Sequence, residues 1–377
     1  MLINFVSNIP RNLRSGGFSA MNFAAFFAVN KKHTVRYVGP IDPPPIMRQR
    51  VMSRALRLAG RPGDFFFFSQ RRLETIAEAV REQCSPEADL DFFHGFTPWI
   101  ATRPIRPYMT YSDCTFRDYI EVFHKSEAFR AVDVARIEQA EAAWLRHAEM
   151  IVFTSEWAAE RARHVYGLER SQLAVAGIFG DFEPPARDTY KGGKQFAFIS
   201  TNFLSKGGPV VLKAFRKVRE RDPAASLMVV GDRGDLNLSE PGVAYAGFLR
   251  KEHPAEYARL REIFSSSRAI VNATKSDTAP VLLVEAGYFG CPAISTRRFA
   301  IPEIVNDRET GILIDDPLDS NAVADAMLWM LEAGEDYWQM RQAAWNKTRQ
   351  AHSKSLFERR LLACVDAVRK NFGVLAP

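Results

Sequence analysis

The sequence predicts an α/β protein of two domains, and three observations carry that expectation. The chain has 377 residues, 47% of them hydrophobic and 25% charged, which is enough for two separate cores and ordinary for a globular protein. Short β-branched or aromatic runs alternate with helical stretches, most clearly over 271–296. There an apolar run ends at Ala273, a polar loop carries Asp277, Pro280 opens a helix, and Gly290-Cys291-Pro292 closes it before another apolar run. Finally, the stretch 177–193, with Pro184-Pro185 and Gly192-Gly193, is loop-like and poor in apolar residues, and is expected to link the domains.

Taken in order, residues 2–6 read as a first strand, followed by a loop with Arg11, Arg14 and the pair Gly16-Gly17, then an apolar segment over 18–29. Glycines between a strand and a helix let backbone approach a ligand closely, although a plain tight turn fits the pattern equally. A second strand over 34–38 precedes the proline-rich 40–45 and a basic helix over 46–60. There Arg50, Arg54, Arg57 and Arg61 recur at helical spacing, while Val51, Met52, Ala55, Leu56 and Leu58 occupy the other faces. Such a helix suits either an anionic membrane surface or a solvated position on its own sheet, and the second is the commoner outcome. Residues 89–98 read as a strand ending in His94-Gly95, placing His94 where open α/β sheets build sites, although a lone histidine is more often structural. Asp89-Leu90-Asp91 precedes that strand and is discounted as a metal motif. A further strand from Tyr108 runs into Ser112-Asp113, a helix covers 132–146, and a strand from Ile151 ends at Ser155, a suitable helix N-cap.

The second half opens with a strand over 196–200. Lys206-Gly207-Gly208-Pro209 then places a point charge and flexible glycines at a helix start, a phosphate site in physical terms, with an exposed lysine as the plain alternative. Strands are expected at 227–231 and 243–249, and helices over 322–330 and 356–372. Asp277 lies before the helix that Pro280 opens and Glu285 about two turns into it. Two acids flanking a helix start fit a ligand with a sugar on one side of a diphosphate and a ribose on the other; a solvated loop acid and a helix-surface glutamate fit the spacing as well.

The motifs from Asp277 onward resemble those of the large retaining glycosyltransferase family of GT-B fold. An acid, seven residues, then glutamate is matched by Asp277 and Glu285. Gly290-Cys291-Pro292-Ala293-Ile294, Ile301-Pro302-Glu303-Ile304-Val305 and Thr310-Gly311-Ile312-Leu313-Ile314 follow in the family's order. The first acid is glutamate in most members and aspartate here. The resemblance implies two facing Rossmann-like domains: 1–185 for the acceptor, 186–355 for the nucleotide-sugar donor, and 356–377 as a helix packing back on the first. It implies that Asp277 holds the sugar and Glu285 the ribose. Lys206, Gly16, Gly17 and the helix start Thr278, Ala279, Pro280, Val281 and Leu282 face the diphosphate, and Phe248-Leu249 flank the base. Many members carry a histidine where Ser112 stands; His94 or Asp113 is left to take its role. An arginine usual shortly before Lys206 is also missing, with only Thr201 and Ser205 nearby.

The activity implied is transfer of a hexosyl unit from a nucleotide diphosphate sugar to a hydroxyl acceptor with retention, in polysaccharide or glycolipid synthesis, with no cofactor and no metal. A relative that keeps the donor pocket without transfer, an epimerase or an inactive partner subunit, is the alternative. The net charge of +6 admits anionic partners. Nucleic acid is disfavoured for want of an aromatic-basic module. Cys84, Cys114, Cys291 and Cys364 are too scattered for zinc or a disulfide framework, and no apolar run reaches membrane-spanning length. The expected location is the cytoplasm, with peripheral contact at the inner membrane face through the four arginines as a further partner.

Overall fold

The computed structural model describes residues 1–13, 17–234 and 240–371. They divide into two compact units, Met1–Gly177 with Ser355–Pro377, and Ile178–Lys354.

The first unit is built on six strands: β1 (Leu2–Val6), β2 (Thr34–Val38), β3 (Leu90–His94), β4 (Tyr108–Ser112), β5 (Met150–Phe153) and β6 (Leu173–Val175). All neighbours pair in parallel, in the order β2-β1-β3-β4-β5-β6. A parallel sheet is covered on both faces over its central strands, which is why β1 and β3 are largely apolar; Ile3, Phe5, Val6, Phe92 and Phe93 are fully buried. The helices are α1 (Gly17–Asn30), α2 (Met47–Leu58), α3 (Gln70–Gln83), α4 (Phe116–Phe123), α5 (Ala131–Arg146) and α6 (Glu156–Tyr166). Their starts are fixed locally. Thr115 and Asp118 form a reciprocal capping box on α4, and Ser155 Oγ accepts the Ala158 amide at 3.2 Å to begin α6. Asp91 lies within β3, not before it, bonded to Asn4 and ion-paired with Arg106, a structural role.

The second unit holds β7 (Gln195–Ser200), β8 (Ser226–Gly231), β9 (Val243–Tyr245), β10 (Ala269–Asn272), β11 (Ala293–Thr296) and β12 (Gly311–Ile314). These are again parallel, in the order β12-β11-β10-β7-β8-β9. Helices α7 (Gly208–Arg221), α8 (Pro254–Ser266), α9 (Val281–Tyr288), α10 (Ile301–Ile304), α11 (Ser320–Glu332) and α12 (Glu335–Ala351) complete it, and α13 (Lys354–Asn371) carries the chain back into the first unit. The strand expected over 243–249 stops at Tyr245, because Gly247 takes a left-handed φ of 80° and leaves Phe248 and Leu249 in a loop.

Residues 178–194 form neither helix nor strand, yet they are fixed to the second unit. Phe179, Phe182 and Tyr190 are buried, and Asp188 accepts two bonds from the Arg341 guanidinium at 2.7 and 2.8 Å. Arg341 is 1% exposed, stacks on Tyr190, and donates to the carbonyls of Ser267 and Phe289. Removing one partner of a buried pair strands the other charge. Asp188→Ala should therefore cost about 3 kcal/mol of unfolding free energy, read as a lower denaturant midpoint at unchanged slope.

Candidate donor site

In both sheets the strand order reverses beside the first strand, between β1 and β3 and between β7 and β10. Ligands of open α/β sheets collect at the carboxyl ends of strands at such a reversal. The sequence candidates sit at these two places: Gly17 and His94 at the first, Lys206 and Asp277 at the second. Gly16 lies outside the described residues.

In the second unit the loop after β7 is held by its own polar groups and by Asp232 from the loop after β8. Asp232 accepts the amides of Phe203 at 2.8 Å and Gly234 at 3.1 Å, which holds its carboxyl below the usual range, and Asn202 Oδ1 accepts the Ser205 amide at 2.9 Å. The loop then turns through Gly207 at φ 82°, where an added Cβ would lie 2.2 Å from the Ala273 carbonyl oxygen. Only glycine allows this approach. It brings Lys206 Nζ to 2.6 Å from Asp277 Oδ2 and 2.8 Å from the Ser276 carbonyl. Each side chain keeps about a fifth of its surface exposed, at 19% and 22%. Desolvation by the surrounding protein raises the Asp277 pKa, and Lys206 opposes that rise. An ammonium has three protons, so Lys206 retains one for a ligand. Beside this pair α9 begins, with Thr278 buried, Ala279 half-buried and Pro280 as its N-cap residue, and Val281 and Leu282 present a first turn of amides that the helix cannot satisfy.

Glu285, on α9, is buried and accepts the Asp181 amide at 3.0 Å. Gly180 packs so close that a Cβ there would lie 2.6 Å from Glu285 Cγ, which pins the carboxylate. Its other partner is Lys251, whose ammonium also lies 4.8 Å from the centre of the Phe182 ring. Lys251 was not foreseen, because thirty-four positions separate it from Glu285 and no motif joins them. Phe248 is exposed near the Arg250 guanidinium, and Leu249 is half-buried.

In the first unit His94 is fully buried, with Phe18 4.2 Å away and Phe5 and Tyr111 close by, and neither ring nitrogen has a hydrogen-bond partner. Burial pushes its pKa down to about 3 from 6.5. Asp113 is half-buried after β4 and bonded to Cys114, and Ser112 Oγ donates to the Cys114 carbonyl.

His94 has a consequence for stability. Unfolded, the imidazole takes a proton near pH 6.5; folded, it resists until about 3, so its contribution is full above 6.5 and falls as the pH drops through that window. Buried Glu141, pushed up to about 7 by desolvation, acts in the opposite sense between its ordinary 4.5 and 7. His94→Leu should thus reduce acid destabilisation by a few kcal/mol at about pH 4 relative to neutrality, measured by urea unfolding at both values.

Two parallel six-stranded α/β sheets with this reversal define the GT-B class of fold, and solved structures agree. Sucrose-phosphate synthase from Thermosynechococcus elongatus superposes with a TM-score of 0.68 at 14% identity over 99% of each chain. HepE from Anabaena, solved with UDP and glucose, gives 0.66 at 16% identity over 97% of this chain and 100% of that one.

Residues 181–347 match the family Glycosyl transferases group 1. A D-inositol 3-phosphate glycosyltransferase of Corynebacterium diphtheriae is 28% identical over 165 residues, 40% of this chain and 37% of that protein. Sucrose-phosphate synthase of Zea mays is 25% identical over 148 residues, 34% of this chain and 14% of that protein. The match thus spans little more than a third of the first relative and a seventh of the second. Among the described residues no helix is long and apolar enough to cross a membrane, and no group of three or more histidine, cysteine or acidic side chains could hold a metal ion.

Proposed function

We propose that the protein transfers a hexosyl unit from a nucleotide diphosphate sugar to a hydroxyl acceptor with retention at the anomeric carbon. The observation that carries this reading is the convergence of Lys206, Asp277 and the start of α9 where the second sheet reverses, with Glu285 held along the same helix. In the reaction the bond between the anomeric carbon and the diphosphate oxygen breaks and its electron pair stays on the diphosphate. The acceptor oxygen bonds to that carbon, and its proton passes to the departing diphosphate. Charge grows on the leaving group, so Lys206 and the amides of Val281 and Leu282 stabilise the transition state more than the bound donor. Glu285 accepts the ribose hydroxyls and Asp277 those of the sugar. Phe248 and Leu249 flank the base.

Relatives in this fold have been solved with UDP and UDP-glucose, which makes uridine donors the first to try. The four cysteines are free thiols, in keeping with a reducing cytoplasm where such donors are made. Incubation with a panel of nucleotide sugars and hydroxyl acceptors, following both free nucleotide and the new glycoside, tests the proposal. Glycoside formed from one donor supports it. Donor binding without transfer favours the non-transferring relative, a reading motivated by Ser112 and by the absent arginine near Lys206.

A further inference from the structure

Helix α2 packs through a serine and not through its larger apolar residues. Ser53 is its one fully buried residue; its Oγ donates to the Asp64 carbonyl at 2.7 Å, and Gly63 presses against it. The helix therefore packs inward through Ser53 with half-buried Gln49, Arg50 and Leu56, and Arg57 lies 5.7 Å from the Phe129 ring centre. Met47, Val51 and Leu58 share the opposite face by helical spacing and are 65%, 58% and 91% exposed, with Met52 beside them. An outward apolar ridge is the reverse of what a solvated helix on a sheet presents.

The ridge has company. The chain after α2 is tied to residues 128–130 by the Gly63 amide to the Ala128 carbonyl and the Arg130 amide to the Gly63 carbonyl, both 3.0 Å. Around that junction Phe67, Phe123 and Val132 are also exposed. The charge is one-sided: residues 43–63 contain Arg48, Arg50, Arg54, Arg57 and Arg61 and no acid. The flanking acids are engaged, Asp42 with Arg72 and Asp64 with Arg130.

We propose that the outer face of α2, with Phe67, Phe123 and Val132 at its margin, inserts into the headgroup region of an anionic lipid bilayer, arginines meeting phosphates and the ridge entering the acyl boundary. A basic face carrying a central apolar stripe fits such an interface. A second copy would set arginine against arginine, and nucleic acid would leave the ridge without an apolar partner. The proposal is independent of the donor site, so it stands or falls apart from the transfer reaction.

The test is flotation of the full chain with vesicles of phosphatidylcholine alone or mixed with phosphatidylglycerol, at low and high salt. The parent should float with the mixed vesicles, lose part of that binding as salt rises, and keep a salt-resistant fraction. A triple Met47→Ser, Val51→Ser, Leu58→Ser variant should lose that fraction by at least about tenfold. A triple Arg48→Gln, Arg54→Gln, Arg61→Gln variant should lose the preference for anionic lipid. Leu58→Trp should shift its added emission to the blue on the mixed vesicles. The urea midpoint of unfolding should be unchanged in every variant, which separates lost docking from lost folding. No flotation of the parent, equal flotation of the serine variant, or an unshifted Leu58→Trp emission would overturn the proposal. So would a lipid-free dimer of the parent that the serine variant abolishes.

Discussion

Lys206→Ala should lower donor turnover by roughly a hundred- to a thousandfold, about 3 to 4 kcal/mol of transition-state stabilisation, while free nucleoside binds within a few fold of the parent. The expectation rests on geometry. Lys206 is aimed by the Gly207 turn and anchored to Asp277 and the Ser276 carbonyl before any ligand arrives, so it needs little reorganisation when charge develops. A group placed in advance acts mainly on the transition state, so the loss should appear in kcat as well as in kcat/KM. The same change leaves Asp277 desolvated without its counter-charge, which favours its protonated form and adds to the defect. Unchanged turnover in Lys206→Ala would remove this lysine from the mechanism.

The second large effect is expected at the acids. Glu285→Gln should weaken nucleoside diphosphate and nucleotide sugar alike by about ten- to a hundredfold, the scale of a charged hydrogen bond to hydroxyls that both ligands carry. The amide oxygen still accepts the Asp181 N–H, so the fold around α9 survives, whereas the bond to Lys251 loses its charge. Asp277→Asn should spare nucleoside diphosphate affinity and depress turnover of the intact donor. Asp277→Glu restores the acid length usual in the resembled family and should change which hexose is accepted.

Much of this was legible in the sequence, for identifiable reasons. Both sheets are parallel and their central strands are covered on two faces, so strands such as 2–6 and 196–200 stand out as apolar runs. The candidate acids Asp277 and Glu285 stood out because a loop, Pro280 and a closing glycine bracket one short helix. Other features were hidden by their chemistry. Helix α12 buries Arg341 and Thr348 among its apolar residues, which blurs its period. Residues 178–194 are short of apolar residues in number, but Phe179, Phe182 and Tyr190 are large and the Asp188–Arg341 pair holds the rest. Lys251 pairs with Glu285 through tertiary structure alone. On α2 the spacing of the arginines was visible, whereas the outward direction of the apolar ridge depends on Ser53 and Gly63.

The most direct measurement is a calorimetric titration of the full chain with uridine, guanosine and adenosine diphosphates and their hexose conjugates, repeated on Glu285→Gln and Asp277→Asn. The donor-site account predicts that one nucleotide family binds the parent, that Glu285→Gln weakens the diphosphate and its sugar together, and that Asp277→Asn leaves the diphosphate unchanged. Absence of binding by every nucleotide, or identical profiles for the two variants, would contradict it.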